Sequence, residues 1–141
     1  VRLNRSTDIG LRILMLTAAR GGQQTIEEAA AALDVPRHHL AKVVQRLQHL
    51  GLLETVRGRG GGVRLTAEAE ETTIGGIVRS LEDEAEVVVC DGATPCPLRG
   101  GCRLRGALAR AQEAFYASLD EVTLGSLTGT PTGPILLSLG R

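Results

Sequence analysis

The chain has 141 residues, 16 basic and 16 acidic side chains, one Phe, one Tyr and no Trp, which suits one compact domain built on Leu, Ile, Val and Ala. That palette favours helices packed on helices over an aromatic-rich β-sandwich, and so small a core gains stability by dimerising. No apolar run is long enough to span a bilayer, and residues 1–10 carry charge where a signal peptide has its apolar stretch, so a cytoplasmic chain without a membrane partner is expected.

The neutral total hides two modules of opposite sign. Residues 36–66 hold six basic side chains (Arg37, Lys42, Arg46, Arg57, Arg59, Arg64) against Glu54 alone, whereas residues 67–91 hold eight acids against Arg79 alone. The first is what a phosphate-binding face requires; the second repels DNA and should point away from it.

Taken in chain order, residues 6–19 place Ile9, Ile13 and Leu16 at helical spacing and stop at Gly21-Gly22. Thr25-Ile26-Glu27-Glu28 is a capping box opening a short second helix with Ile26, Ala29, Ala30 and Leu33 on one face. Asp34-Val35-Pro36 turns the chain, and Pro36 suits the first position of a third helix. That helix buries Leu40, Val43, Val44, Leu47 and Leu50, and presents Arg37, His38, His39, Lys42, Gln45, Arg46 and His49 outward. Two short amphipathic helices, a tight turn and a basic outer face make a helix-turn-helix, whose second helix fits the major groove. The bland alternative is a helical hairpin with a solvated polar face.

The next stretch favours the DNA reading. Residues 52–56 and 63–66 are β-like, and between them lies Arg57-Gly58-Arg59-Gly60-Gly61-Gly62. A hairpin after a recognition helix is the wing of a winged helix: its glycines allow close approach to a phosphate backbone or narrow minor groove, and Arg57 and Arg59 supply charge. The expected DNA contacts are Arg37, His38, Lys42, Arg46, Arg57 and Arg59. Beyond the wing, a helix is expected near residues 74–84 with Ile74, Ile77, Val78 and Leu81 inward. Residues 86–101 read as irregular, and a long helix to about residue 121 carries the stripe Leu104, Leu108, Ala111, Phe115, Leu119, Val122, suited to a two-fold dimer seam. Residues 129–141, interrupted by Gly and Pro, are expected to lie extended on the surface.

All three cysteines fall in the irregular segment, as Cys90-x5-Cys96-x5-Cys102. An odd number of thiols argues against a disulfide framework, and neither the paired Cys-x2-4-Cys spacing nor the four protein ligands of structural zinc are present. Thiolates on a glycine-rich loop suit an iron–sulfur cluster best, with zinc and redox-sensing free thiols as the other readings. Arg99, Arg103 and Arg105 would offset the negative charge of thiolates and sulfides. Three thiols leave one coordination position to a ligand from elsewhere or to solvent, because position 105 is Arg rather than His. His38, His39 and His49 fit a DNA-facing or solvated role better than a metal. Nothing resembles a nucleophile–base pair or a P-loop, so no enzymatic activity is expected.

Residues 94–105 (Thr-Pro-Cys-Pro-Leu-Arg-Gly-Gly-Cys-Arg-Leu-Arg) resemble the cluster loop of a winged-helix family of iron–sulfur transcriptional regulators, specifically its nitric-oxide-sensing members. Further likeness lies in Arg2-Leu3-x4-Asp8, residues 46–51, the wing at 57–62 and residues 111–117, so it spans nearly the whole chain. The resemblance implies a mainly α fold: a winged helix-turn-helix with a small β-hairpin wing, a cysteine loop and a long dimerisation helix. It implies a homodimeric repressor of double-stranded DNA at a two-fold symmetric operator, with nitric oxide as signal and one 4Fe-4S cluster per subunit. The ligands it implies are Cys90, Cys96, Cys102 and Asp8 from the other subunit. By itself Asp8 is an ordinary acid in a first helical turn. In other members of the family a His completes a 2Fe-2S site, which remains the alternative cofactor. On this reading the chain divides into a DNA-binding domain (1–66), a connecting helix (67–89), a cluster loop (90–102), a dimerisation helix (103–126) and a tail (127–141). Competing readings are a same-fold sensor of redox state or iron–sulfur supply, a winged-helix protein with a structural metal, and a one-cluster electron carrier.

Overall fold

The computed structural model of the chain describes residues 1–83 and 85–140. Helix α1 (Arg5–Arg20) begins where the Asn4 side chain accepts from the Thr7 N–H at 2.8 Å and ends at Gly21, with Ile9, Ile13, Leu14 and Leu16 buried. Strand β1 (Gln23–Gln24) follows, then α2 (Ile26–Leu33), whose capping box forms as expected: the Glu28 N–H donates to Thr25 Oγ1 at 3.0 Å and the Thr25 N–H to the Glu28 carboxylate at 3.2 Å. Helix α3 (Arg37–His49) starts directly after Pro36.

Leu40, Val43, Val44 and Leu47 of α3 are buried, but Leu50, expected on the same face, is 38% exposed. The helix has ended at His49 and Gly51 turns the chain through a left-handed conformation, so helical periodicity no longer directs Leu50 inward. Strands β2 (Leu53–Val56) and β3 (Gly62–Leu65) form the antiparallel wing, with Glu54 opposite Arg64 and their side chains ion-paired at 2.7 Å. The sheet has three strands rather than two, in the order β1-β3-β2, because Gln23 and Gln24 pair with Arg64 and Val63. The buried Gln24 amide donates to Thr17 Oγ1 at 2.7 Å, which fixes the sheet to α1. At the wing tip Gly58 and Gly60 adopt positive φ values of 98° and 69°, a conformation that L side chains rarely adopt.

After a 3-10 turn (Ala69–Glu71), α4 (Ile74–Glu82) buries Ile74, Ile77, Val78 and Leu81, as its spacing predicted. The long helix α5 (Arg103–Leu119) packs on α4 through an arginine clamp. Arg79 donates to both Glu113 oxygens at 2.9 and 2.7 Å and to Asp120 at 3.1 Å, and lies 4.9 Å from the centroid of the Tyr116 ring. Those hydrogen bonds hold the Glu113 carboxyl below its ordinary range. Backbone bonds pin the far ends together: the Ile74 N–H donates to Val122 O at 2.7 Å and the Leu124 N–H to Thr72 O at 3.0 Å.

The C-terminal segment corrects the expectation of an extended tail. A 3-10 turn (Gly125–Thr128) leads to α6 (Thr132–Ser138), which packs on α1 with Leu136 buried, and Arg20 of α1 donates to the Leu139 carbonyl. Pro134 stands in the first turn of α6, where no intrahelical N–H is required, so it is compatible with the helix it seemed to forbid.

Gly75 lies against the Asp120 carboxylate, and a Cβ there would collide with it. Gly75→Ala is therefore expected to cost about 2 kcal/mol in urea unfolding, an overpacking penalty; unchanged stability would show that this contact carries no weight. Because Glu113 is lowered in the folded chain, its contribution is present above the unfolded carboxyl value and is lost as pH falls through the folded one. Glu113→Gln should accordingly reduce stability at pH 7 and match the parent in strong acid.

Candidate functional site

The outer face of α3 meets the start of α2 and the wing across a groove of about 420 Å³, lined among others by Thr25, Arg37, Lys42, Gln45, Gln48 and Thr55. Arg37 sits at the first position of α3 and pairs with Glu27 at 2.6 Å, which holds the Glu27 carboxyl below its ordinary range. Lys42 and Gln45 are exposed about one and two turns further along, while the Gln48 amide donates to Thr55 Oγ1 and so braces the helix against β2. Gln45 was visible as an outward residue of the helix. Thr25 and Thr55 come from other elements, and no single-helix periodicity could have placed them in the groove.

A second hollow, of about 370 Å³, adjoins α3 on its α1 and α4 side and is lined by His38, His39, Lys42, Arg46, Ser6 and Leu81. Arg46 is turned onto α4: its guanidinium donates to Asp83 at 2.6 Å and to the Ser80 carbonyl at 3.0 Å. It must leave those partners to reach a phosphate. Arg57 and Arg59 stand exposed in the wing hairpin.

The three cysteines are free thiols; Cys90 is buried, and Cys96 and Cys102 are half-buried. The loop that carries them is internally bonded. The Cys96 N–H donates to Cys90 O at 2.9 Å, the Arg99 N–H to Cys96 O at 3.1 Å, and the Gly101 N–H to Leu98 O at 3.1 Å. Cys102 caps α5, its Sγ accepting from the Arg105 N–H at 3.4 Å. The Arg105 guanidinium reaches back to both Glu86 oxygens at 2.8 and 2.9 Å and to Asp91 at 3.0 Å, keeping the Glu86 carboxyl below its ordinary range. Arg99 and Arg103 remain exposed.

Among the described residues, no three His, Cys, Asp or Glu side chains converge on a point that could hold a single metal ion. A polynuclear cluster sets a different requirement, since its thiolates bind separate irons. Three soft sulfur donors on one short loop, with open space around Gly100 and Gly101, suit that requirement.

Asp8 lies in the first turn of α1 and is half-exposed, its carboxylate held by Arg12 of the same helix at 2.9 and 2.8 Å. Just before it, Glu82 at the end of α4 accepts from the Asn4 N–H at 3.2 Å and from Thr7 Oγ1 at 2.5 Å. On α5, Tyr116 is the buried residue, whereas Leu104 is 64% exposed and Leu108 and Phe115 are half-buried. No helix among the described residues is long and apolar enough to cross a membrane.

Comparison with known proteins gives these residues a context. A family model, Rrf2, described as an iron-dependent transcriptional regulator, matches residues 3–130. The chain is 53% identical to the HTH-type transcriptional repressor NsrR of Streptomyces coelicolor, over 99% of this chain and 96% of that one. It is 39% identical to the HTH-type transcriptional regulator NsrR of Bacillus subtilis, over 90% of each. Among solved structures, the global cysteine regulator CymR of B. subtilis superposes with a TM-score of 0.70 at 26% identity, over 90% of this chain and 95% of that one. The T. potens IscR structure shares the fold at a TM-score of 0.69 and 19% identity, over 89% and 85% of the two chains. The family model and the two NsrR relatives are described as transcriptional regulators.

The exposed wing yields a test. Arg59→Ala is expected to weaken binding to duplex DNA and to lower the log–log salt slope by about 0.9 per lost phosphate contact. Affinity and slope both unchanged would remove the wing tip from the interface.

Proposed function

The chain belongs to the Rrf2 family of transcriptional regulators, and on that footing we propose that it is a homodimeric repressor that senses nitric oxide through a 4Fe-4S cluster. The cluster is held, one per subunit, by Cys90, Cys96 and Cys102 with Asp8 of the other subunit. The observation that carries this reading is the placement of all three thiols on one bonded loop between α4 and α5, which follows in the chain the residues that hold both α1 and the recognition helix. When bound, the cluster supplies an iron whose oxygen ligand is weaker than a thiolate, and so a corner open to nitric oxide.

The remaining steps belong to the chain's own residues. Residues 1–66 bind DNA, with α3 in the major groove and Arg37, His38, Lys42, Arg46, Arg57 and Arg59 as contacts. Arg37 exchanges Glu27 for phosphate, and Arg46 exchanges Asp83. Phe115, Leu119 and Val122 of the α5 stripe pack on this chain's own core, while Leu104 at its start is 64% exposed and is closed by a second copy, with residues 103–126 as the dimer seam. The 67–89 segment connects the two, and in the 127–141 tail α6 (Thr132–Ser138) steadies α1.

Asp8 has two alternative partners, the site on the other subunit and Arg12 of its own helix. Closing onto Arg12 releases the start of α1 from the partner. That end of α1 is bonded to Glu82, next to the residue that holds Arg46. The spacing of the two recognition helices on a two-fold symmetric operator then changes, and DNA is released.

The test is an anaerobic titration of nitric oxide into the protein bound to such an operator. Binding is expected to fall in proportion to nitric oxide added and to survive brief exposure to air. Loss on air exposure with no response to nitric oxide would identify a redox or iron–sulfur-supply sensor of the same fold. Absence of salt-dependent binding to any duplex would overturn the DNA-binding reading itself.

A further inference from the structure

We propose that Arg105 is a positioning residue that braces the cysteine loop shut, independently of anything bound to its thiols. The proposal rests on the assignment of Cys90, Cys96 and Cys102 as ligands for its functional meaning, but the brace is a property of the chain alone.

Arginine offers five donors and no acceptor, so the residue standing three positions after Cys102 cannot itself ligate iron. Its guanidinium is not directed at the sulfurs. It makes three hydrogen bonds to two carboxylates that flank Cys90 in sequence, two to Glu86 and one to Asp91, while its backbone N–H donates to Cys102 Sγ. Cys90 is joined in turn to Cys96 by the bond from the Cys96 N–H to the Cys90 carbonyl. Arg105 therefore connects the segment entering the loop, the residue after its first cysteine and the cysteine that closes it.

Charge separates this role from simple neutralisation of a cluster. One guanidinium shared by two carboxylates leaves a net negative group, so Arg105 brings no surplus positive charge to the thiols. Exposed single ion pairs contribute little, but this one is a network with a bidentate arm, and the Arg105 side chain is only 30% exposed. Closing the 86–105 segment costs chain entropy whether or not a ligand is present, and the brace offsets that cost in advance. The consequence is a loop already near its working shape when empty, with Cys90 kept at 8% exposure.

The experiment compares alkylation rates of the individual thiols, read by mass spectrometry, in reduced, metal-free full-length protein. In Arg105→Ala, Cys90 should react roughly 5–30-fold faster, the change expected from losing a local closure of this kind. Arg105→Lys retains the charge but not the fork, and should resemble the Ala variant; behaviour like the parent would mean that charge alone matters and would overturn the brace. The double variant Glu86→Gln, Asp91→Asn should reproduce the effect, and serves in place of Arg105→Ala if that variant does not fold. Cys90 protection unchanged in the double variant would also overturn the proposal. In cluster-loaded protein, iron loss to a chelator should accelerate in the same variants. Failure of the parent to bind iron and sulfide, with Cys90 protection still dependent on Arg105, would leave the brace standing and remove the cluster reading instead.

Discussion

Arg79 reaches from α4 across to α5, grips Glu113 with two hydrogen bonds and Asp120 with a third, and lies against the face of Tyr116. The close approach this needs is possible because residue 75 is glycine, which leaves room for the Asp120 carboxylate. With the backbone bonds from Ile74 to Val122 and from Leu124 to Thr72, the clamp makes α4 and the end of α5 one unit. The rest of the molecule is arranged around that unit. The last turn of α4 holds the start of α1 through Glu82 and the recognition helix through Asp83, and the chain then runs into the cysteine loop. A nine-residue helix and the residue that follows it thus bond to α1, to the recognition helix and to α5.

The same arrangement explains why basic side chains on the recognition helix do not all stand free. Arg37 is held by Glu27 and Arg46 by Asp83, both carboxylates supplied by neighbouring elements. Such pairs keep long side chains in place, and phosphate can displace them because exposed ion pairs contribute little. The acidic stretch after the wing, which in sequence only seemed a region to be turned away from DNA, supplies partners for Arg46 and Arg105 through Asp83, Glu86 and Asp91.

Much of the fold was legible because local rules and tertiary structure agree. The Thr25–Glu28 box, the spacing of Ile74, Ile77, Val78 and Leu81, and the Arg–Gly wing each specify one local structure, and each formed. Features decided by distant neighbours were hidden. Strand β1 is two residues long, too short for any period, and exists through pairing with β3. Helix α6 is interrupted by Gly and Pro in sequence yet docks on α1 through Leu136. The direction of Arg46, and the use of Arg105 on Glu86 and Asp91, follow from contacts across 37, 19 and 14 residues of chain. The three cysteines stand out as a candidate site by spacing alone. Asp8 does not: the role proposed for it rests on family resemblance, and within one chain its carboxylate goes to Arg12.

The central claim is that the braced loop carries an iron–sulfur cluster rather than a single metal or bare thiols. It is tested most directly by measuring iron, acid-labile sulfide and zinc per chain in protein purified without oxygen. The account predicts about four iron and about four sulfide per chain, with no zinc. About two of each would replace the cluster type and remove Asp8 from the ligand set as assigned. Zinc without sulfide would contradict the account and leave a DNA-binding protein with a structural metal.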